Sequence, residues 1–319
     1  MRRFMMLLFL MLIGLPLLIS CQQGDSNKVE RVGMLIEHTI NDQTWGSRGY
    51  HGLLDIEEEF DSEIFFREGV QTQQQVNVAV EELSNQGVQV IIGHSSNYGE
   101  FFNQLHSSYP DIEFIYVNGG YSGDNLISLN FNSLAMGFFA GMLAGDMSEN
   151  DHVGVLAAFE WQPEVEGFYE GVLYQNQEAE VDVRYVNSWD ESEVALNYYQ
   201  QMLNNNVDVV YPAGDAYSLA VVEAAMNDGI HSIGYVNDQQ PHGGQSVLTS
   251  TQQHVDKLYV YAIEQLTKGE LTGGIYNFGF AEGVITIGPY SEQVPEATVQ
   301  HLDQLIEEYV ETGLLPHQS

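Results

Sequence analysis

Short apolar, mostly β-branched runs recur along the chain: "RVGMLIE", "SEIFFREG", "VQVIIGHS", "EFIYVNG" and "NLISLNF" in the first half, then "HVGVLAAF", "EVDVRYVN", "VDVVYPAG", "HSIGYVND" and "SVLTSTQQ". Between most of them lie polar stretches whose apolar residues return every three or four positions, as in "QQQVNVAVEELSNQG" and "SEVALNYYQQMLNNN". The first pattern predicts buried strands and the second amphipathic helices. Strand and helix in alternation make βαβ units, whose right-handed crossovers build parallel sheets covered by helices. An α/β fold is therefore expected.

The pattern also repeats. "GVQVIIGHSSNYGEFFNQL" (87–105) and "NVDVVYPAGDAYSLAVVEA" (206–224) carry strand, small-residue loop, tyrosine and helix in the same order. Two similar lobes follow, each a parallel β-sheet flanked by helices. The segment 236–253 reads as two strands joined without a helix, and suits a chain crossing between lobes. A last helix is expected at about 296–313, after Pro295. The expected division puts 29–131 plus 251–272 in an N-terminal lobe and 132–250 plus 273–319 in a C-terminal lobe. In such sheets ligands collect at the carboxyl ends of the strands, so a cleft between the lobes, closing by hinge motion, is the expected site.

The N-terminus changes the picture of where this body works. Two arginines precede an apolar run from Phe4 to Ile19. That run is shorter than the roughly 20 residues needed to span a bilayer. Residues 1–20 read as a secretory signal. Cys21 is the only cysteine, so no intramolecular disulfide can form. "LISC" resembles the bacterial lipobox, which implies cleavage before Cys21, its lipidation, and an acyl anchor on the extracytoplasmic face of the cell membrane. Residues 21–28 then form a lipidated tether.

Forty-five acidic against nine basic residues give a formal charge of −36. Such a surface repels phosphate backbones, and direct nucleic-acid binding is not expected. With 44% hydrophobic residues, 18 Tyr and 15 Phe, the charge belongs to a folded body rather than a disordered tail.

Candidate chemistry concentrates in the loops that follow strands. Trp45, Trp161 and Trp189 each lie just after a predicted strand, one in the first half of the chain and two in the second. Aromatic walls for a flat ligand explain that placement for Trp45 and Trp189; for Trp161, filling the core is an equal alternative. Carboxylates share these loops, namely Glu37, Asp42, Asp190, Asp215 and Asp238. A carboxylate at a strand end can accept paired hydrogen bonds from a diol or a purine edge, and Asp238 is the favoured one. Gly46, Gly49 and Gly52 do not form a dinucleotide fingerprint, and their spacing suits one packed side of a helix. "GHSSN" around Ser95 approaches a nucleophile elbow but ends in Asn, and no Asp-then-His order completes a triad. The ten histidines show no zinc-site spacing. An enzyme is not expected, nor is a cofactor or metal.

Taken with the lipobox, the segments "INDQTWGSRGYHGL", "YPDIEFIYVNG", "AMGFFAGMLAGDMS", "VYPAGD" and "IGYVNDQ…VLTSTQQHVDKLY" resemble the basic membrane protein (BMP) family of bacterial lipoproteins over essentially the whole mature chain. "TINDQTWG", "FEWQPEVEGF" and "VVYPAGDAY" resemble its Med-like subgroup of bacilli, named as positive regulators of competence. The resemblance implies a type I periplasmic-binding-protein fold that binds a purine nucleoside for an ABC importer, with a permease as partner. It places Asp42 and Trp45 at the family's opening loop, Trp45 standing for a stacking phenylalanine and Gly46 for an asparagine. The second stacking aromatic maps onto Trp189, a ligand-side glycine loop onto Gly214 and Asp215, and a crossover aspartate onto Asp238. Val236 and Gln253 stand where the family carries an aspartate and a lysine. The implied function is a lipid-anchored solute-binding protein for a nucleoside-like ligand. Indirect regulation of competence, with a sensory or vestigial cleft, is the alternative.

Overall fold

The computed structural model describes residues 28–41 and 45–318. The proposed signal at 1–20, Cys21 with most of its tether, and Asp42 lie outside the described residues.

Among the described residues, twelve strands divide between two sheets of six. The first half runs β1 (Arg31–Leu35), α1 (Trp45–Phe60), β2 (Glu63–Arg67), α2 (Gln73–Asn85), β3 (Val90–Gly93), α3 (Tyr98–Asn103), β4 (Glu113–Val117) and β5 (Leu126–Phe131). The second repeats it with α4 (Ser133–Met147), β6 (His152–Ala157), α5 (Pro163–Gln175), β7 (Glu180–Tyr185), α6 (Ser192–Asn204), β8 (Val209–Ala213), α7 (Ala216–Asp228), β9 (His231–Gly234), α8 (Gln240–Gly243) and β10 (Val247–Gln253). The chain closes with α9 (Val255–Lys268), β11 (Gly274–Phe278), β12 (Ile285–Ile287) and α10 (Glu296–Thr312).

Strand order is β2-β1-β3-β4-β5-β11 in one sheet and β7-β6-β8-β9-β10-β12 in the other. The two lobes thus share one strand order, and their first five strands one topology, as the internal repeat predicts. All neighbours are parallel except β12, which runs against β10. Central strands are buried on both faces, with β3 and β8 fully enclosed. This explains why they read as unbroken apolar runs. Helix α2 starts where it does because Thr72 and Gln75 form a capping box: the Gln75 amide donates to Thr72 Oγ1 at 3.3 Å and the Thr72 amide to Gln75 Oε1 at 3.0 Å.

Two helices of the second lobe are held together by glycines. α4 is buried nearly all round and lies against α5. A Cβ on Gly137, Gly141, Gly167 or Gly171 would strike the backbone carbonyl of Glu164, Phe168, Leu134 or Phe138 respectively, on the facing helix. Only hydrogen side chains permit this approach. It fixes the start of α5, which reaches the cleft.

The lobe boundaries differ from the sequence division at two places. β9 and β10 are adjacent parallel strands of one sheet, joined through the short α8, so the segment 236–253 stays within the second lobe. Strand β11 pairs with β5 in parallel, from Gly274 against Ile127 to Phe278 against Phe131. Residues 274–278 therefore extend the first sheet, although the sequence division put them in the second lobe. The chain passes between lobes at Asn132, at His254 and along 279–284. These connections are tied to one another: the Asn132 amide donates to the Phe278 carbonyl and the His254 amide to the Val284 carbonyl, both at 2.7 Å.

Candidate functional site

The strands' carboxyl ends open on a cleft of about 660 Å³ between the lobes, lined from both. The first lobe supplies the turn after β1, the start of α1 and the ends of β3 and β4. The second supplies the start of α5, the loop after β7, the start of α7 and the end of β9. Its size is that of a small-molecule site.

Trp45 opens α1 and rests against the cores of both lobes. One face of its indole stacks on the His94 imidazole, with centroids 4.6 Å apart and planes at 12°. Across the cleft Trp161, Trp189 and Phe159 form a second aromatic group. Trp161 stacks on Phe159 at 5.6 Å, and Trp189 meets both edge-on at 5.9 and 5.4 Å. Trp161 is 58% exposed, so it does not fill the core. All three tryptophans of the chain line the cleft.

Glu37, Trp45, Gly46, Ser95, Trp161, Trp189, Asp215 and Gln253 are brought together on the cleft wall, as is Asp190. Gly214 and Asp238 are not on that wall. Gly214 sits against the Tyr217 ring, which a Cβ would strike, and Asp238 accepts the Gln240 amide at 3.1 Å at the start of α8. Ser95 Oγ accepts the Asn97 amide at 3.2 Å, a local turn contact. Glu37 accepts from Asn97 Nδ2 at 2.9 Å, and Asp190 lies 3.7 Å from the His38 ring. Of the three spaced glycines, Gly49 packs under His94, and Gly52 against the backbone of Asp256 on α9 rather than against the sheet.

The structure adds residues that the loop pattern does not single out. Glu164, the second residue of α5, is 4% exposed and lines the cleft. Its Oε1 accepts from the Tyr235 hydroxyl at 2.9 Å and from Gln162 Nε2 at 3.0 Å. Burial, and then the Glu164 carboxylate, push the Tyr235 hydroxyl well above its usual value, which keeps it a donor. Gln162 is itself fixed, accepting from the Phe159 amide at 2.8 Å and donating to the Ala213 carbonyl at 3.0 Å. In the first lobe Asn130 clamps Gly119, accepting its amide at 2.9 Å and donating to its carbonyl at 3.1 Å. The one available sequence signal for Glu164 was its place just inside the Pro163 helix start, where an acidic side chain suits the positive end of the helix.

Behind the cleft, His254 stands at a lobe crossing. Arg48 Nη2 of α1 donates to its Nδ1 at 2.8 Å, which leaves Nε2 to donate to Thr286 Oγ1 of β12 at 2.9 Å. Burial, with Arg48 and Lys257 nearby, lowers its pKa to about 4.

Two sheets of the same strand order, parallel throughout except at β12, crossed three times around a cleft at their strand ends, define the type I periplasmic-binding-protein class. Residues 29–319 match the family model Bmp, described as ABC transporter substrate-binding protein PnrA-like, and the chain belongs to that family. It is 44% identical, over 95% of its length and 96% of the relative's, to the transcriptional activator protein med of Bacillus subtilis. The crystal structure of a transcriptional activator of the comK gene from Bacillus halodurans superposes with a TM-score of 0.85 at 42% identity, covering 90% of this chain and all of that one. A solute-binding protein of an ABC transporter system from Aeropyrum pernix shares the fold at a TM-score of 0.73 and 22% identity, over 90% of this chain and 81% of that one. These relatives are named as binding proteins or activators, not as enzymes.

Proposed function

We propose that this protein is an extracytoplasmic solute-binding lipoprotein, anchored through Cys21, that takes a purine nucleoside or similar planar ligand between its lobes and presents it to an ABC permease. The observation that carries this reading is the gathering of Trp45, Trp161 and Trp189 on one cleft. Stacking a base on an aromatic side chain contributes about 1–3 kcal/mol. Trp45 and Trp189 keep that contribution where the family resemblance expects stacking rings. Gly46, Val236 and Gln253 alter the polar contacts around it, each worth about 1 kcal/mol. The ligand's polar edge is therefore expected to differ from that of an ordinary nucleoside.

Titration of the purified mature domain with purine nucleosides tests the reading through intrinsic fluorescence, since every tryptophan faces the cleft. Saturable quenching is expected; a flat response to all nucleosides at millimolar concentration would exclude nucleoside binding. A second reading, positive regulation of competence gene expression with the cleft as its sensor, is favoured by the 44% identity to the med activator. The charge of −36 argues for an indirect route to any promoter. Gene deletion separates the two: loss of nucleoside uptake with unchanged competence expression supports transport alone, and the reverse supports regulation.

A further inference from the structure

The charge of the cleft narrows what it can hold. Four carboxyl side chains line it, Glu37, Glu164, Asp190 and Asp215, and no Lys or Arg is among its described lining residues. Arg48 does not line it, bonding instead to the Gln253 carbonyl at 3.4 Å and pairing with Asp256 at 3.7 Å. An anionic solute would meet like charges with no Lys or Arg among the described lining residues to compensate them.

Glu164 points the same way independently. It is more than nine-tenths buried, and the two donors that orient it both serve Oε1, whereas Oε2 accepts no hydrogen bond from the described residues. A buried carboxylate is ordinarily matched by a positive partner. No Lys or Arg among the described residues pairs with it, and the side chain lines the cleft. Trp161 and Trp189 line the same cleft, and aromatic ring faces attract cations electrostatically.

From these observations we infer that the cleft selects a flat organic cation, with Glu164 as its charge partner and the tryptophans as its walls. This rests on the solute-binding reading above and names the charge of the ligand that reading leaves open.

The test compares adenosine with 1-methyladenosine, which has nearly the same shape but is positively charged at neutral pH. Benzyltrimethylammonium serves as a cation without a sugar. Isothermal titration of the mature domain should show 1-methyladenosine binding at least tenfold more tightly than adenosine. The ratio of those two affinities should fall at least tenfold in Glu164→Gln, whose amide oxygen can still accept from Tyr235 and Gln162. Asp215→Asn provides a second readout of the same ratio if Glu164→Gln does not fold. Equal affinities, or a preference for adenosine, would overturn the inference and leave the nucleoside reading standing. Binding of benzyltrimethylammonium alone, weakened by either variant, would support the inference and overturn the nucleoside reading. No binding of any of the three would overturn both.

Discussion

Trp45 and His94 hold each other by ring and by backbone. Their rings stack at 4.6 Å, the indole Nε1 donates to the His94 carbonyl at 3.3 Å, and His94 Nε2 donates to the Trp45 carbonyl at 2.7 Å. From α9 the Tyr259 hydroxyl lies 2.7 Å from Nδ1. One wall of the cleft is thus set before any ligand arrives, which lowers the ordering cost of binding.

That wall depends on Gly49, one turn into α1. A Cβ there would lie 2.5 Å from His94 Cε1 and Nε2, deep in the stack. Gly49→Ala should displace the imidazole, destabilise the fold by about 1–3 kcal/mol as overpacking does, and weaken any ligand that quenches Trp45. Urea denaturation and the fluorescence titration, run on the same preparation, check both effects. An unchanged midpoint would show that His94 moves freely and does not position Trp45.

The glycine seam between α4 and α5 predicts a graded series. A methyl on Gly141 meets the Phe168 carbonyl head-on, whereas one on Gly145 would lie 2.9 Å from the Val172 carbonyl, near the helix end. Separating two packed helices costs contacts along their whole length. Gly141→Ala should cost about 3 kcal/mol or more, in the range where a buried substitution signals severe disruption, and Gly145→Ala clearly less. Thermal melts of the two variants test the order. Equal losses would mean that the helices part as rigid rods.

These contrasts also explain what could be read from residues alone. The central strands are evident as apolar runs because both sheet faces are covered, and the half-buried edge strands β2 and β7 still show short β-branched or aromatic patterns, "EIFFR" and "EVDVRY". β11, with burial that alternates along "GIYNF", and β12, three residues long, offer no run long enough to stand out. That is why the lobe boundary at 273 was misplaced. The tryptophans were legible through their position after strands. Glu164 was not, since an acidic residue in a first helical turn is common among 45 acidic residues and its burial is what sets it apart. The backbone of Val236 was equally hidden: a β-branched residue, 1% exposed, holds φ at 65° on the cleft wall, a conformation its type disfavours.

The proposed anchor gives a prediction that does not depend on the ligand. If Cys21 is the lipidated residue, Cys21→Ser should abolish acyl labelling and prevent cleavage before position 21, leaving a longer precursor. Metabolic labelling with palmitate and the mass of the membrane fraction check this. Labelling that persists in the variant would move the anchor elsewhere.

His254 links the lobes and predicts how acid affects them. Its ring accepts from Arg48 on the first lobe and donates to Thr286 on the second, and its pKa of about 4 lies below the ordinary value of 6.5. Between those values the unfolded chain binds a proton that the folded chain excludes, so stability rises with pH across the window. The penalty is absent above about pH 6.5 and grows as pH falls toward 4. His254→Asn keeps an acceptor for Arg48 but cannot titrate. At pH 7.5 it should be less stable by about 1 kcal/mol for the lost bond to Thr286. Toward pH 4.5 that gap should close or reverse, because only the wild-type protein bears the cost of the excluded proton. The acidic surface titrates in both proteins, so the difference between their denaturation midpoints isolates the histidine. A gap that stays constant from pH 7.5 to 4.5 would show that His254 takes up its proton without resistance.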